Sequence, residues 1–285
     1  MAIPLFKKLG NEKNIAILDN CSINFLLELK KKQVDYKGLL TCYDLLLIPG
    51  WELNEINIYP PRKEFVEKDL IVTRKLPIFY YNEEDLANIF SIQDLCFYRI
   101  FQASVSRVAQ LIKYLNLNVK KTDPLDIDSP KIWLKDLFNN WPIQNPKNPN
   151  LRKNAGEISC ILFIEILSYS SSFDGELTIF SQDSDSWNFL DDAAKHMDEL
   201  VKKEPGFGLS KTSFDLSFKT NDFILCSLFR NKLISISDID QLRTNQRYVT
   251  YHKIMTDKTV AQKTDLLDNS KFKTIIQNKD INIVH

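Results

Sequence analysis

The sequence predicts an α/β protein built on a mostly parallel central sheet flanked by helices, and three observations carry that prediction. Short apolar runs, NIAIL (14–18), LLLI (45–48), LPIFYY (76–81) and ELTIFS (176–181), are too brief for helices. They are rich in Ile and Leu, as strands buried on both faces are. Stretches with helical spacing alternate with them, the pattern of βαβ units. Pro49-Gly50, Pro60-Pro61 and the segment PIQNPKNPN (142–150) punctuate the chain where turns are needed.

Each element follows from its own residues. Residues 14–18 form the first strand, and Asp19 stands at its end. Residues 21–32 form a helix with Ile23, Leu26, Leu27 and Leu29 apolar, ending in Lys30, Lys31 and Lys32. Cations at that end complement the helix dipole, so a solvated helix terminus explains them without a ligand. The second strand stops at Pro49-Gly50, and a helix begins at Trp51 with Glu52 and Glu55 near its start. Residues 76–81 form a third strand and 83–91 begin a helical stretch. Residues 93–150 are helical, aromatic-rich and interrupted, and read as a helical insertion within a single domain spanning 1–285. A long amphipathic helix covers 151–169, with Glu157 in its early turns. A strand at 176–181 runs into Gln182-Asp183, and a helix covers 187–203. Residues 220–225 suit either a strand or a helix start. Residues 226–285 form a C-terminal extension, polar and weakly patterned beyond Thr250.

Composition narrows the function classes. Lys+Arg and Asp+Glu both total 37, so no whole-molecule basic field is available to attract nucleic acid, and phosphate recognition would need local patches. The five cysteines, Cys21, Cys42, Cys96, Cys160 and Cys226, are widely spaced and form no C-x-x-C, which suits reduced thiols in a cytoplasmic protein. The N-terminus has no apolar core of a secretion signal, and no apolar run is long enough to span a bilayer. The expected setting is therefore the cytoplasm, with no membrane partner.

The residues that suggest chemistry are acids. Two apolar strands end in aspartate, at Asp19 and Asp183, and Asp185 lies two residues beyond the second. In a parallel sheet both open onto the carboxyl edge, where sites of α/β proteins form. Glu55 and Glu157 sit in early turns of helices and can face that edge. Clustered carboxylates repel one another unless a hard divalent cation is bound, and oxygen donors suit Mg2+ or Mn2+. Capping of the following helix explains Asp19 or Asp183 taken singly, but not four acids at one edge.

These segments resemble the four motifs of the PIN-domain nucleases. IAILDNCSINFL is similar to their opening strand and helix, and LLIPGWELNEI to their second strand, Pro and acid-bearing helix. NAGEISCILFIEIL resembles the third motif and LTIFSQDSDSW the fourth, so the likeness covers about residues 14–60 and 151–225. The resemblance implies a Mg2+- or Mn2+-dependent endoribonuclease hydrolysing RNA through metal-activated water. It also implies a toxin or defence role with an antitoxin or other inhibitory protein as partner, while the number of subunits, a homo-oligomer included, stays open. By the same likeness Asp19, Glu55, Glu157 and Asp183 are the catalytic acids. Asp19, Glu157, Asp183 and Asp185 are metal ligands, and Ser22 or Asn20, with Ser181, orient carboxylates.

Glu52 competes with Glu55, which keeps the spacing from Pro49. Glu165 reads as a surface or polar-network residue. Arg152 and Lys153, just before Glu157, are the best phosphate contacts, ahead of Lys30–Lys32, Lys120 and Lys121. Phe97, Tyr98, Phe101, Trp133, Phe138 and Trp141 could stack on bases, but core packing of the insertion explains their spacing better. Alternatives are a PIN-like RNA- or protein-binding module without catalysis and a DNA-directed flap-type nuclease. A haloacid-dehalogenase-like phosphatase is disfavoured, because Asp19-Asn20-Cys21 lacks the required Asp-x-Asp.

Overall fold

The computed structural model describes residues 2–119, 127–145, 148–170, 173–182, 186–203, 209, 211–255 and 258–284. In chain order its elements are β1 (Asn14–Leu18), α1 (Asn20–Lys31), β2 (Leu45–Pro49), α2 (Gly50–Ile58), α3 (Pro60–Glu64), a π-helical stretch (Phe65–Thr73) and β3 (Ile78–Tyr81). Then come α4 (Leu86–Ile89), α5 (Asp94–Ser104), α6 (Ala109–Asn118), α7 (Pro130–Asn139), β4 (Gln144–Asn145), β5 (Asn148–Arg152), α8 (Ala155–Ser170), β6 (Glu176–Phe180) and α9 (Ser186–Lys203). The chain closes with β7 (Asp215–Lys219), α10 (Asn221–Arg230), α11 (Ile239–Leu242), β8 (Arg247–Ile254), β9 (Val260–Leu267), α12 (Asn269–Gln277) and β10 (Ile281–Ile283). Among the described residues no helix is long and apolar enough to cross a membrane.

The centre is a five-stranded, all-parallel sheet in the order β3-β2-β1-β6-β7. Alternate residues of its strands point to opposite faces. Ile15, Ile17, Leu45 and Leu47 enter one core with α5, α7, α8 and α9. Ala16, Leu18, Leu46 and Ile48 enter a second core with α1, the π-helical stretch, α10, α12 and β8. Helices on both faces bury nearly all of β1 and β2, which is why these two strands are written as unbroken apolar runs. Chain order moves outward from β1 through β2 to β3, then returns to the other side of β1 with β6 and β7. The gap beyond the carboxyl ends of β1 and β6 is thus the point where strand order reverses, the place at which open α/β sheets bind ligands.

The region 93–150 supplies α5, α6 and α7, and its aromatics pack rather than protrude. Phe97 and Phe101 are fully buried, and Tyr98, Trp133 and Trp141 nearly so, in the same core as α8. The Pro/Asn segment expected as a loop contains instead the short antiparallel pair β4-β5. Residues 220–225 resolve as the start of a helix, because the Thr220 hydroxyl caps α10 by accepting from the Phe223 N–H at 3.3 Å. Strand β7 just before it carries no apolar run, since Phe218 is its only buried residue. The tail beyond Thr250 forms a second, antiparallel sheet, β10-β8-β9. Strand β9 is almost entirely exposed, so ladder hydrogen bonds to β8 order it where apolar patterning does not.

A buried ion pair fastens this C-terminal part to α10. The Arg243 Nε donates to both Asp222 carboxylate oxygens, at 3.1 and 3.2 Å, and Arg247 approaches the same carboxylate at 3.4 Å. Arg243 also donates to the Asn269 side chain and lies over the Phe272 ring at 4.6 Å. Removing one member leaves the other charge buried and unpaired. Asp222→Ala is therefore expected to cost about 3–5 kcal/mol in urea denaturation. Glu64→Ala, which breaks the exposed pair with Lys68, should leave the urea midpoint nearly unchanged.

Candidate functional site

The site is assembled by three turns that begin where strands or hairpins end. Asp19 directly follows β1 and caps α1, its Oδ1 accepting from the Ser22 N–H at 2.6 Å. Glu52 and Glu55 lie on α2, which starts immediately after β2. Glu157 lies in the first turn of α8. The chain reaches that helix through Asn154, whose φ of 64° is left-handed and suits an Asn. All four acids line one cavity of about 210 Å³, together with Asn20, Ser181, Arg152 and Lys153. Asp183 and Asp185 lie outside the described residues, as do Lys120 and Lys121.

Asn20 organises the acids on α2. Its backbone N–H donates to Glu52 Oε2 at 3.2 Å, and its side-chain amide donates to Glu55 Oε2 at 3.0 Å. Arg62 in turn donates to the Asn20 side-chain oxygen, to Asn24 at 2.7 Å and to the Glu55 carbonyl at 3.4 Å. Ser22 and Asn20, the residues expected to orient carboxylates, both hydrogen-bond to the acids, Ser22 through its backbone. Among the described residues the Ser22 hydroxyl is buried without a hydrogen-bond partner, and it is the Ser22 N–H that holds Asp19. Ser181 is buried at the end of β6 on the cavity wall.

Glu52 lies deep. Like Asp19 it is 8% exposed, against an intermediate exposure for Glu55 and Glu157. Burial first, and then the charges of Asp19, Glu55 and Glu157, push its carboxyl well above the usual range. Burial also raises Glu55, opposed by the Asn20 hydrogen bond and the Arg62 charge. The Cys160 thiol, on the cavity wall, is pushed up by burial and then by the charges of Glu52, Asp19, Glu157 and Glu83. Glu52 fits only because α8 has no side chain at Gly156, where a Cβ would overlap Glu52 Oε1.

Beneath the cavity a buried polar network ties α2 to α8. Glu83, 1% exposed just after β3, accepts from the Trp51 N–H at 3.1 Å and from the Ser159 hydroxyl at 2.5 Å. The Tyr81 hydroxyl joins Ser159 at 3.1 Å, and a Cβ at Gly50 would stand 2.6 Å from the Tyr81 carbonyl. The helices carrying Glu52, Glu55 and Glu157 are thereby pinned at their first turns. Burial pushes the Glu83 carboxyl up to about 8.

On the rim, Arg152 donates to the Phe138 carbonyl and its guanidinium lies 4.0 Å over that ring, while Lys153 is exposed. Trp141 Nε1 fixes the turn by donating to the Lys153 carbonyl at 3.0 Å. Lys30, Lys31 and Lys32 lie elsewhere and are engaged with Asp69, Glu28 and Gln241. Sequence reasoning passed over Arg62, Gly156 and Glu83. Glu83 follows a strand much as Asp19 does, and a glycine inside a helix marks close approach, so two of the three left a signal.

Hard carboxylate oxygens gathered around one cavity suit Mg2+ or Mn2+ chemically. Among the described residues, however, no group of three or more His, Cys, Asp or Glu side chains is arranged to hold a metal ion as it stands. Comparison with protein-family profiles, curated proteins and solved structures yields no match to this chain.

Two outcomes test this geometry. Gly156→Ala should destabilise by roughly 1–2 kcal/mol, because overlap with Glu52 outweighs the better helix propensity of Ala. In a Glu52→Ala background the same change should become neutral or stabilising. A destabilisation that persists there would place the clash somewhere other than Glu52. The second concerns pH. A carboxyl with a raised folded-state value binds its proton more tightly when folded, so its contribution is full below about 4.3 and is lost as pH rises through the folded value. For Glu83 that window runs from about pH 4.3 up to about 8. Denaturation midpoints of metal-free protein should fall across it, and Glu83→Gln should flatten the fall.

Proposed function

We propose that this chain is a Mg2+- or Mn2+-dependent endoribonuclease of PIN-like type. The observation that supports this reading best is the convergence of Asp19, Glu52, Glu55 and Glu157 on one cavity at the strand-order reversal of a parallel sheet. RNA as substrate and an inhibitory protein as partner come with this reading from the motif resemblance, and a cytoplasmic setting comes from the reduced-thiol pattern of the cysteines.

Asp19, Glu52 and Glu157 would hold the metal, joined by Asp183 and Asp185 as the resemblance implies. A bound divalent cation would supply a water of lowered pKa and offset charge at the scissile phosphate. The Ser22 and Asn20 N–H groups fix the Asp19 and Glu52 carboxylates in place. Glu55, bonded by Asn20, is the outer member of the set and keeps Asn20 oriented. In this reading Glu52 takes the inner position that spacing from Pro49 assigns to Glu55. Exposed Lys153, with Arg152 beside it, gives the rim a local positive charge toward a phosphate chain, which the neutral molecule as a whole does not provide.

The test is cleavage of an end-labelled single-stranded RNA, and of DNA of the same sequence, in Mn2+ and in EDTA. Asp19→Asn, Glu157→Gln and Asp183→Asn should each lower the Mn2+-dependent rate by at least about a hundredfold, the scale of the several kcal/mol a metal contributes. Each variant should keep the circular dichroism of the parent. Undiminished cleavage in all three would sink the proposal. Cleavage of DNA in preference to RNA would move the substrate class, and a folded parent inert on both would leave a binding module.

A further inference from the structure

A second cavity, of about 500 Å³, lies between α8, α9 and the segment leading into β7. Its volume is in the range of small-molecule pockets. The walls are largely apolar, with Ile164, Leu190, Ala194, Phe214 and Leu216. Glu165 is set among them, a residue the sequence suggests for the surface or a polar network. It is 2% exposed instead, and its Oε2 is buried with no hydrogen-bond partner among the described residues.

Two of the neighbouring hydroxyls are committed elsewhere. The Thr212 hydroxyl donates to the Leu167 and Ser168 carbonyls, both at 3.1 Å, and the Ser168 hydroxyl donates to the Ile164 carbonyl at 2.9 Å. The nearest cation, Lys211, is exposed and pairs with Asp198 at 3.4 Å, over the Tyr169 ring. A carboxyl oxygen buried without a partner is costly, and proteins keep such groups where something donates to them. Burial pushes Glu165 up to about 7, with Lys211 opposing and Asp198 adding to the rise.

From this geometry we propose that the α8–α9 cavity is a binding site for a small organic cation, an ammonium or amidinium on an apolar body, whose N–H groups bond the Glu165 carboxylate. The apolar body replaces water against Leu190, Phe214 and Leu216. Glu165 lies eight residues along α8 from Glu157, which at helical rise is about 12 Å, so this site is separate from the acidic cavity and independent of the nuclease reading.

Benzamidine is a suitable probe, with neutral benzyl alcohol as control. Titration calorimetry with the full chain at pH 8.5, above the Glu165 value, should give saturable one-site binding of benzamidine in the millimolar range or tighter, and weaker binding of benzyl alcohol. Glu165→Gln should weaken benzamidine binding by about tenfold or more, and Ala194→Phe, which puts a ring in place of a methyl on the cavity wall, should abolish it. Should either variant fail to fold, the other, judged by circular dichroism, carries the test alone. Absence of saturable binding by the parent overturns the proposal, as does benzamidine affinity unchanged in a folded variant.

Discussion

Mutual repulsion among carboxyl groups is the constraint around which this molecule is organised. Asp19, Glu52, Glu55 and Glu157 arrive from three separate stretches of chain and share one cavity. Two like charges about 4 Å apart at an effective dielectric near 20 repel by about 4 kcal/mol, more than most single contacts return. Folding brings them together nonetheless. The structure answers the repulsion in two ways: N–H groups from Ser22 and Asn20 are aimed at the acids, and Glu52 is held toward its protonated form. A divalent cation would answer it a third way, by replacing repulsion with coordination.

The rest of the fold holds the acids in that arrangement. Two cores, one on each face of the parallel sheet, fix β1 and β2 and therefore the starting points of α1 and α2. Glu83 staples the first turn of α2 to α8 through Trp51 and Ser159, and Gly156 lets the two helices approach. The aromatic residues of α5 and α7 extend the core around α8, and Phe138 and Trp141 brace the turn that carries Arg152 and Lys153. A segment that looks like a separate insertion in sequence thus supports the cavity rim.

What could be read from the sequence followed the strength of local physical signals. Strands β1, β2, β3 and β6 are visible as apolar runs because both their faces are buried, and Asp19 is visible because it directly follows one of them. Strands β7 and β9 are faint because each buries a single residue and pairing orders them, and β8 and β10 are faint because their buried positions are too few to make an apolar run. The choice between Glu52 and Glu55 turns on helix rotation relative to α8, which depends on Gly156 and is a tertiary fact. Glu165 is similar, since burial on α8 by α9 and the segment before β7 decides its character and no local pattern records it. Asp183 and Asp185 keep the role that resemblance gives them, without a described position.

The central claim is that the cavity acids form a divalent-cation site. Crystals of the full chain grown or soaked with Mn2+ and measured at a wavelength where manganese scatters anomalously test it most directly. An anomalous peak bounded by the Asp19, Glu52 and Glu157 carboxylates, absent from crystals of Asp19→Asn grown alike, is the result expected. No peak in that cavity at saturating Mn2+, with the fold otherwise as described, would contradict the account.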